Sequence, residues 1–242
     1  MLVIPAIDIK NGKCVRLTQG KMDAETVYSD SPVQVAKKWE RSGAKLIHLV
    51  DLDGAVEGVP KNKEVIKNIF ASINTPVQIG GGIRNIETIE YYLGFKQVQK
   101  IIIGTKALED PSLVKDACVK FPQRIAIGID AKDGLIATHG WINITSEKAI
   151  DLAKRFKDIG VSCIIYTDIK RDGMLQGPNI NAMKEMMDSV QIPVIASGGV
   201  SSIKDIQALK DIDVYGVIIG KALYTGAVDL EEAIKTVSSE QG

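Results

Sequence analysis

The sequence has little of what disulfide and metal proteins need. It contains three cysteines, Cys14, Cys118 and Cys163, and two histidines, His48 and His139. The cysteines are widely spaced and form no CxxC pair, and the histidines form no HxH or HExxH pattern. These patterns argue against a disulfide framework and against a zinc site, so we expect reduced thiols and no bound metal.

Long apolar runs and an excess of one charge are also absent. The apolar start, residues 1–7, is ended by Asp8 and Lys10, and no stretch approaches the roughly 20 apolar residues that a membrane span needs. The 30 basic and 30 acidic residues cancel. A neutral protein has no general attraction for nucleic acid or an anionic membrane, so any anion site must be built locally. We expect a cytoplasmic monomer that binds neither nucleic acid nor a membrane.

What the sequence does have is a regular alternation of β-branched runs and amphipathic segments over 242 residues. The strand runs are nearly continuous Val, Ile and Leu, which is typical of parallel strands buried on both faces. The pattern predicts an α/β fold, a single (β/α)8 TIM barrel, with a doubly wound open sheet as the alternative. The predicted strands are 2–8, 45–51, 77–79, 100–103, 124–130, 162–168, 194–197 and 215–219. The predicted helices are 32–43, 61–73, 85–94, 111–120, 146–159, 179–189, 202–210 and 229–238.

One unit occurs twice in the sequence. Residues 76–89 read PVQIGGGIRNIETI and residues 193–206 read PVIASGGVSSIKDI; the runs IIIGTKAL (101–108) and VIIGKAL (217–223) follow them. The repetition indicates two half-barrel repeats, about 1–121 and 122–242, within one domain. Each copy joins a strand to a helix through glycines, as phosphate-binding loops do. The sequence therefore predicts a ligand with a phosphate at each end.

The predicted phosphate sites use backbone N–H groups that glycine leaves accessible. Arg84 could reinforce the first site with a charged fork, although an arginine on a loop is also unremarkable. The glycines could alternatively serve only to turn a strand tightly into a helix. The first predicted set is Gly81, Gly82, Gly104 and Thr105, and the second is Gly198, Gly199, Gly220 and Lys221.

Aspartates end several predicted strands. Asp8 and Asp130 end the first and fifth strands, on opposite sides of one barrel mouth, and Asp51 and Asp168 form a second such pair. The connections after strands one, two, five and six are long, which indicates function at this face. Two opposed carboxyl groups suit general acid–base chemistry, one ionised and one protonated. The alternative is that each aspartate only caps its own loop.

Three further residues near this face can take part in chemistry. Thr167 ends the sixth strand and Asp172 lies on the following loop, although threonine is common in strands and Asp-Gly is common in turns. Trp141 lies in the fifth loop, where we expect an exposed ring that can stack on a planar ligand. No Ser-His-Asp set or G-x-S-x-G motif is present.

Five motifs together resemble the phosphoribosylformimino-5-aminoimidazole carboxamide ribotide isomerase family of histidine biosynthesis. They are IPAIDIKNGKCVRLTQG (4–20), VQIGGGIR (77–84), IAIGIDAKDG (125–134), YTDIKRDGMLQGPN (166–179) and VIASGGVSS (194–202). The resemblance runs from about residue 1 to 238. It implies a barrel without cofactor that acts on a small bis-phosphorylated ribonucleotide, in agreement with the doubled phosphate unit.

The resemblance also implies roles for individual residues. Asp8 matches the general base and Asp130 the general acid of an Amadori rearrangement, from aminoaldose to aminoketose. Thr167 and Asp172 match positions that serve the same reaction, with Asp172 as the rival for the acid. Arg16 and Gly173, from these segments, and Trp141, from the fifth loop, are predicted to bind substrate.

Three other functions remain open from the sequence. The related cyclase subunit of imidazole glycerol phosphate synthase shares the barrel and the paired aspartates, but its motif around the first aspartate differs. Phosphoribosylanthranilate isomerase, as a sole or second activity, performs the same rearrangement on a substrate with one phosphate. A non-catalytic sugar-phosphate-binding barrel would have no need of opposed acids.

Overall fold

The sheet of this protein closes on itself. The computed structural model describes residues 1–18 and 21–238; the last two residues of the first motif, Gln19 and Gly20, lie outside that range. The strands are β1 Leu2–Lys10, β2 Lys13–Thr18, β3 Lys21–Ser29, β4 Ile47–Asp51, β5 Val77–Gly80, β6 Val98–Ile103, β7 Ile125–Lys132, β8 Leu135–Thr138, β9 Asn143–Lys148, β10 Cys163–Asp168, β11 Val194–Ser197 and β12 Gly216–Ile219. The helices are α1 Pro32–Arg41, α2 Leu52–Glu57, α3 Lys63–Ser72, α4 Ile86–Leu93, α5 Thr105–Glu109, α6 Pro111–Lys120, α7 Ala149–Arg155, α8 Ile180–Ser189, α9 Ile203–Asp211, α10 Lys221–Thr225 and α11 Leu230–Ser238.

Eight of these strands form a parallel barrel. Their order is β10-β11-β12-β1-β4-β5-β6-β7, and β7 pairs with β10 to close the ring. The predicted (β/α)8 barrel is therefore confirmed, and the open doubly wound alternative is wrong. In this ring β1 lies four strands from β7, and β6 lies four strands from β12, so each of these pairs faces across the barrel.

The apolar strands are buried on both faces, as their continuous β-branched composition predicts. Inside the barrel, Ile4, Ile102, Ile165 and Ile218 belong to one buried cluster. A second, larger cluster fills the layer between the barrel and the surrounding helices, and Ile89 of α4 is fully buried in it. The strands therefore form a rigid support whose carboxyl ends meet at one rim.

Each predicted helix is present, and all except α7 agree with the prediction to within two residues at each end. Residues 143–148 form β9, so α7 begins at Ala149 and not at 146, and it ends at Arg155. Three short helices, α2, α5 and α10, were not predicted. They begin directly after barrel strands β4, β6 and β12, within segments that read as loops in sequence because each has only one or two turns.

Two antiparallel β-extensions, each following a barrel strand, were also missed by the sequence analysis. After β1 the chain forms β2 and β3, and after β7 it forms β8 and β9. Their first turns are Asn11-Gly12 and Asp133-Gly134, and all four residues have positive φ, as type I′ hairpin turns require. These dipeptides are the signal in the sequence that could have located both hairpins. The hairpins extend from the rim where the strands end.

Two features predicted from the sequence, the state of the cysteines and the lack of a membrane span, can be compared with the structure. All three cysteines are buried free thiols. Among residues 1–18 and 21–238, none of the helices combines the length and apolar character that crossing a membrane requires.

The buried layer outside the barrel predicts a clear difference between two truncations. Ile89→Ala on α4 should lower the free energy of unfolding by about 2–5 kcal/mol, because it removes fully buried apolar volume. Val119→Ala on α6, where the side chain is 75% exposed, should change it by less than about 0.5 kcal/mol. Denaturant unfolding followed by circular dichroism measures both, and equal effects would contradict the assignment of the core.

Candidate active site

A cavity of about 200 Å³ opens at the carboxyl ends of the barrel strands, and a small pocket adjoins it. Every residue that the sequence analysis assigned to catalysis or to substrate binding lies on the wall of one or both. The main cavity is lined by Asp8, Arg16, Gly81, Gly82, Arg84, Gly104, Thr105, Asp130, Trp141, Thr167 and Asp172. The adjoining pocket is lined by Gly173, Gly198, Gly199, Gly220 and Lys221, and it shares Arg16 and Asp172 with the main cavity. Residues far apart in the sequence are thus brought to a single site.

Asp8 and Arg16 form a buried ion pair on the first hairpin. Nη1 of Arg16 donates to Oδ2 of Asp8 at 2.6 Å, and β1 and β2 hold the two residues side by side in the ladder. Burial raises the pKa of Asp8 to about 6, although the Arg16 guanidinium opposes this rise. Asp8 therefore has a pKa close to neutral while it keeps a partner for its ionised form. A carboxyl group of this kind can accept a proton near pH 7.

Asp130 faces the cavity from β7, on the opposite side. The indole Nε1 of Trp141 donates to its Oδ2 at 2.7 Å, and Thr167 supplies a second side-chain hydrogen bond. Burial raises the pKa of Asp130, and the two hydrogen bonds partly offset this rise. The predicted exposed ring of Trp141 is wrong: the side chain is half-buried and is held against the carboxylate.

Asp172 provides a third carboxyl group at the same cavity, on the loop that follows β10. Its Oδ1 lies 3.7 Å from Nη2 of Arg16, so one guanidinium lies between Asp8 and Asp172. Burial raises the pKa of Asp172, while Arg16 and Lys221 oppose the rise. Nζ of Lys221 donates to the carbonyl of Gly173 at 2.8 Å, which ties this loop to the adjoining pocket.

The two predicted phosphate sites have a matched backbone arrangement. α5 begins after Gly104 and α10 after Gly220, and neither helix has a side chain capping its first N–H groups. The longer helices α4 and α9 are capped, by Asn85 and Ser202. Open N–H groups at a helix start attract anions. Within each predicted set, the start of the short helix therefore has the open N–H groups, and the glycine turn before α4 or α9 lies beside it.

Glycine is required in these turns because of close contacts. Gly81 has φ of 103°, and a Cβ there would overlap the backbone carbonyl of Asp51. A Cβ on Gly220 would overlap the guanidinium of Arg16, so Gly220 leaves the space in which Arg16 reaches Asp8. Gly58 similarly leaves space for the guanidinium of Arg84, which lines the cavity beside the first predicted phosphate site. The Gly81 contact fits a tight strand-to-helix turn, whereas Gly220 and Gly58 leave space for arginine side chains at the cavity.

The second pair of aspartates has a different arrangement. Asp51 is fully buried and accepts hydrogen bonds from the backbone N–H groups of Gly54, Lys61 and Asn62. Asp168 accepts from the backbone N–H of Lys170 at 3.0 Å and from the side chain of Asn179 at 2.7 Å. Both carboxylates thus organise the loops that follow their strands. The capping interpretation holds for this pair, whereas the hydrogen-bond partners of Asp8 and Asp130 among the described residues are side chains.

His48 lines the cavity and was overlooked by the sequence analysis, which considered it only as a metal ligand. It lies on β4, and burial, together with Arg16, lowers its pKa to about 3. Its Nδ1 is 3.1 Å from the amide nitrogen of Gln78, which has only hydrogens to donate. The neutral ring therefore carries its proton on Nε2. A polar residue within an otherwise apolar strand was the available signal.

Comparison with known proteins identifies the family of this chain. Residues 2–229 match the family model described as histidine biosynthesis protein. A protein of Trichlorobacter lovleyi is 56% identical over 97% of this chain and 96% of its own, and one of Pelobacter propionicus is 57% identical over the same shares. A Geobacter sp. protein is 52% identical over the full length of both chains. All three are called 1-(5-phosphoribosyl)-5-((5-phosphoribosylamino)methylideneamino)imidazole-4-carboxamide isomerase. This chain belongs to the histidine biosynthesis protein family.

Proposed function

We propose that this chain is the isomerase of histidine biosynthesis for which its relatives are named. It converts the phosphoribosyl aminoaldose of a bis-phosphorylated imidazole carboxamide ribonucleotide into the aminoketose, by an Amadori rearrangement. The single observation that carries the proposal is the pair of uncapped helix starts, at α5 and α10, on strands that face each other across one cavity. Asp8 lies on β1, the neighbour of β12, and Asp130 lies on β7, the neighbour of β6; β1 and β7 form another opposed pair.

Binding begins with the two phosphates. One is held at Gly81, Gly82, Gly104 and Thr105 with Arg84 nearby, and the other at Gly198, Gly199, Gly220 and Lys221. Each site supplies backbone N–H groups and one cationic side chain, so dianions are favoured at both. Fixing both ends of the substrate positions the reacting carbons between the two carboxyl groups. Positioning of this kind can supply a large part of the rate acceleration.

The rearrangement then needs two proton transfers. The acid, Asp130, gives a proton to the ribose ring oxygen, and the C1–O bond breaks to leave an iminium between C1 and nitrogen. The base, Asp8, takes the proton from C2, and the electrons of that C–H bond form the enolamine. Asp8 then returns its proton to C1, and the C2 hydroxyl gives its proton to the ionised Asp130 as C2 becomes the ketone. These transfers give the aminoketose and restore both carboxyl groups. A base whose pKa is about 6 is mostly ionised at pH 7 and is more basic than an ordinary aspartate.

Asp172 is the rival for the acid. In the unliganded protein Asp130 accepts hydrogen bonds from Trp141 and Thr167, and both favour its ionised form. Asp172 shares Arg16 with Asp8 and faces the same cavity. Two bound phosphates add negative charge, which favours protonation of either carboxyl group. Variants of both residues are needed to assign the acid.

The competing functions receive less support. The cyclase and phosphoribosylanthranilate isomerase readings are not favoured, because the relatives are named for a single isomerase. A purely binding protein would have no use for two opposed buried carboxyl groups with raised pKa values. We further propose that the enzyme acts as a cytoplasmic monomer, since biosynthetic substrates are cytoplasmic and every proposed site residue comes from one chain.

Conservative removal of each carboxylate tests the proton transfers. We expect Asp8→Asn and Asp130→Asn each to lower kcat at least about 100-fold, because each removes a group that holds or releases a proton. Substrate binding, measured by calorimetry, should be retained. Asp116→Asn, on the exposed face of α6, serves as the matched control and should leave kcat unchanged. If Asp172→Asn abolishes turnover and Asp130→Asn does not, the acid is Asp172.

The raised pKa of Asp8 predicts the acid side of the pH profile. Below pH 6 Asp8 gains a proton and can no longer act as base, so kcat/KM should fall as the pH drops through about 6. Because a substrate phosphate also titrates near 6, the assignment needs the unliganded enzyme. The Asp8 carboxyl carbon, followed by NMR in buffer free of phosphate, should titrate at the same pH. A profile that stays flat between pH 5 and 7 would exclude Asp8 as the base.

The phosphate sites can be tested without substrate. A crystal soaked in phosphate should contain two anions across one cavity, one at the start of α5 and one at the start of α10. Gly81→Ala should remove the first anion alone, since the added Cβ displaces the turn. Gly134→Ala is the control, because its φ is also positive but a Cβ there meets no atom within 4 Å. A single anion in the unaltered protein would contradict the proposed orientation of the substrate.

A further inference from the structure

Tyr224 occupies a position behind the active site that no step of the proposed reaction uses. It lies on α10, the short helix that begins at the second phosphate turn. Its hydroxyl donates to the backbone carbonyl of Ala6 at 2.7 Å and lies 3.2 Å from Sγ of Cys14. Ala6 is on β1 and Cys14 is on β2. One phenol, on the helix that borders the second proposed phosphate site, therefore contacts both strands of the β1–β2 hairpin.

The directions of these hydrogen bonds follow from the number of protons. A phenol has one O–H, and Tyr224 gives it to the Ala6 carbonyl. The Cys14 thiol must then donate to the phenol oxygen. Burial raises the pKa of Cys14 to about 11 and raises that of Tyr224 well above its ordinary value. Both groups keep their protons at neutral pH, so the chain from thiol to phenol to carbonyl is complete.

The two strand contacts lie directly beside the ion pair. Ala6 precedes Asp8 by two residues, and Cys14 precedes Arg16 by two residues. In the ladder Asp8 is opposite Val15 and Ile9 is opposite Cys14. A hydroxyl that fixes Ala6 to Cys14 therefore fixes the spacing of the backbone segments that carry Asp8 and Arg16. The 2.6 Å bond between these two side chains depends on that spacing.

The opposite end of α10 touches the same ion pair. Gly220 precedes the helix, and it is the residue against which the Arg16 guanidinium packs. The Tyr224 ring is itself held by Tyr28, with ring centroids 5.0 Å apart, and by Trp39, at 5.6 Å in an edge arrangement. The helix that carries the second phosphate turn is thus connected to Arg16 at its start and to both strands at its end.

We propose that Tyr224 is a positioning residue, which holds the Asp8–Arg16 pair in register with the anion site at the start of α10. This inference rests on the proposed function, because it assigns Asp8 as the base. It predicts that loss of the hydroxyl weakens the contact between Arg16 and Asp8 without removing any group that touches substrate.

A weaker contact between Arg16 and Asp8 should change the pKa of Asp8, and the direction of the change depends on the groups that face this carboxyl. They are Arg16 from β2, Asp172 from the loop after β10, and the neutral side chains of Cys14, Tyr224 and His48; Lys221 acts on Asp172. Arg16 is the only cation in this set that lowers the pKa of Asp8, and Asp172 raises it. If Arg16 moves away, the pKa of Asp8 must therefore rise above about 6.

Tyr224→Phe, with Tyr28→Phe as the matched control, tests the inference. The first variant keeps the ring and loses the hydroxyl; the second changes a ring in the same stack whose hydroxyl has no hydrogen bond among the described residues. We expect Tyr224→Phe to lower kcat about tenfold and to raise the pKa of Asp8 in the unliganded protein by about 0.5 or more, as seen by carboxyl NMR. Tyr28→Phe should change neither quantity.

A double variant separates positioning from general destabilisation. If Tyr224 acts through Asp8, Tyr224→Phe should not lower the residual kcat of Asp8→Asn any further, whereas a structural defect would lower it again. Should Tyr224→Phe not fold, Cys14→Ala carries the same test, with an expected rise in the pKa of Asp8 and a severalfold fall in kcat. A wild-type pKa of Asp8 in the variant tested, or an undiminished effect in the Asp8→Asn background, overturns the inference. Absence of isomerisation by the unaltered enzyme would instead overturn the proposed function, and the NMR titration needs no turnover.

Discussion

The pairing of β7 with β10 closes the barrel, and the site depends on that closure. In a closed parallel ring every strand ends at the same rim, and strands distant in sequence become neighbours or face each other. Asp130 and Thr167 become partners because they lie opposite in the β7–β10 ladder. Asp8 and Asp130 come to one cavity because β1 and β7 lie across the ring. An open sheet with the same strands would separate these groups.

The cavity can hold buried carboxyl groups because a cation or hydrogen-bond donors lie beside each of them. Burial of a carboxylate costs free energy unless a cation or hydrogen-bond donors compensate. Arg16 forms an ion pair with Asp8 and lies 3.7 Å from Asp172. Trp141 and Thr167 form hydrogen bonds with Asp130. Compensation is incomplete in each case, since all three carboxyl groups keep raised pKa values. A raised pKa is the property that the proposed proton transfers need from these carboxyl groups.

The two halves of the barrel share the residues that hold the loops after their strands, and they differ in the residues that line the cavity. Asp51 with Asn62 and Asp168 with Asn179 organise the loops after β4 and β10 in the same way. Three residues before these aspartates, the cavity wall is His48 in one half and Ile165 in the other. One residue before them it is Val50 in one half and Thr167 in the other. Positions that hold the loops are shared, and positions that face the ligand differ. A substrate with two phosphates but one reacting sugar requires this combination.

Local sequence patterns were sufficient to predict the barrel, its eight strands, eight of the helices, and the glycines and aspartates at the cavity, although not His48 on the same wall. These follow from local signals: β-branched runs mark buried strands, glycine pairs mark turns, and aspartates mark strand ends. Which groups become partners depends on how distant segments pack together. Asp8 with Arg16, Trp141 with Asp130, and Tyr224 with Ala6 and Cys14 are contacts between separate elements, so no local pattern encodes them. The same holds for the uncapped starts of α5 and α10, because a helix of five residues has too few turns to leave a periodic signal and is formed by the packing around it.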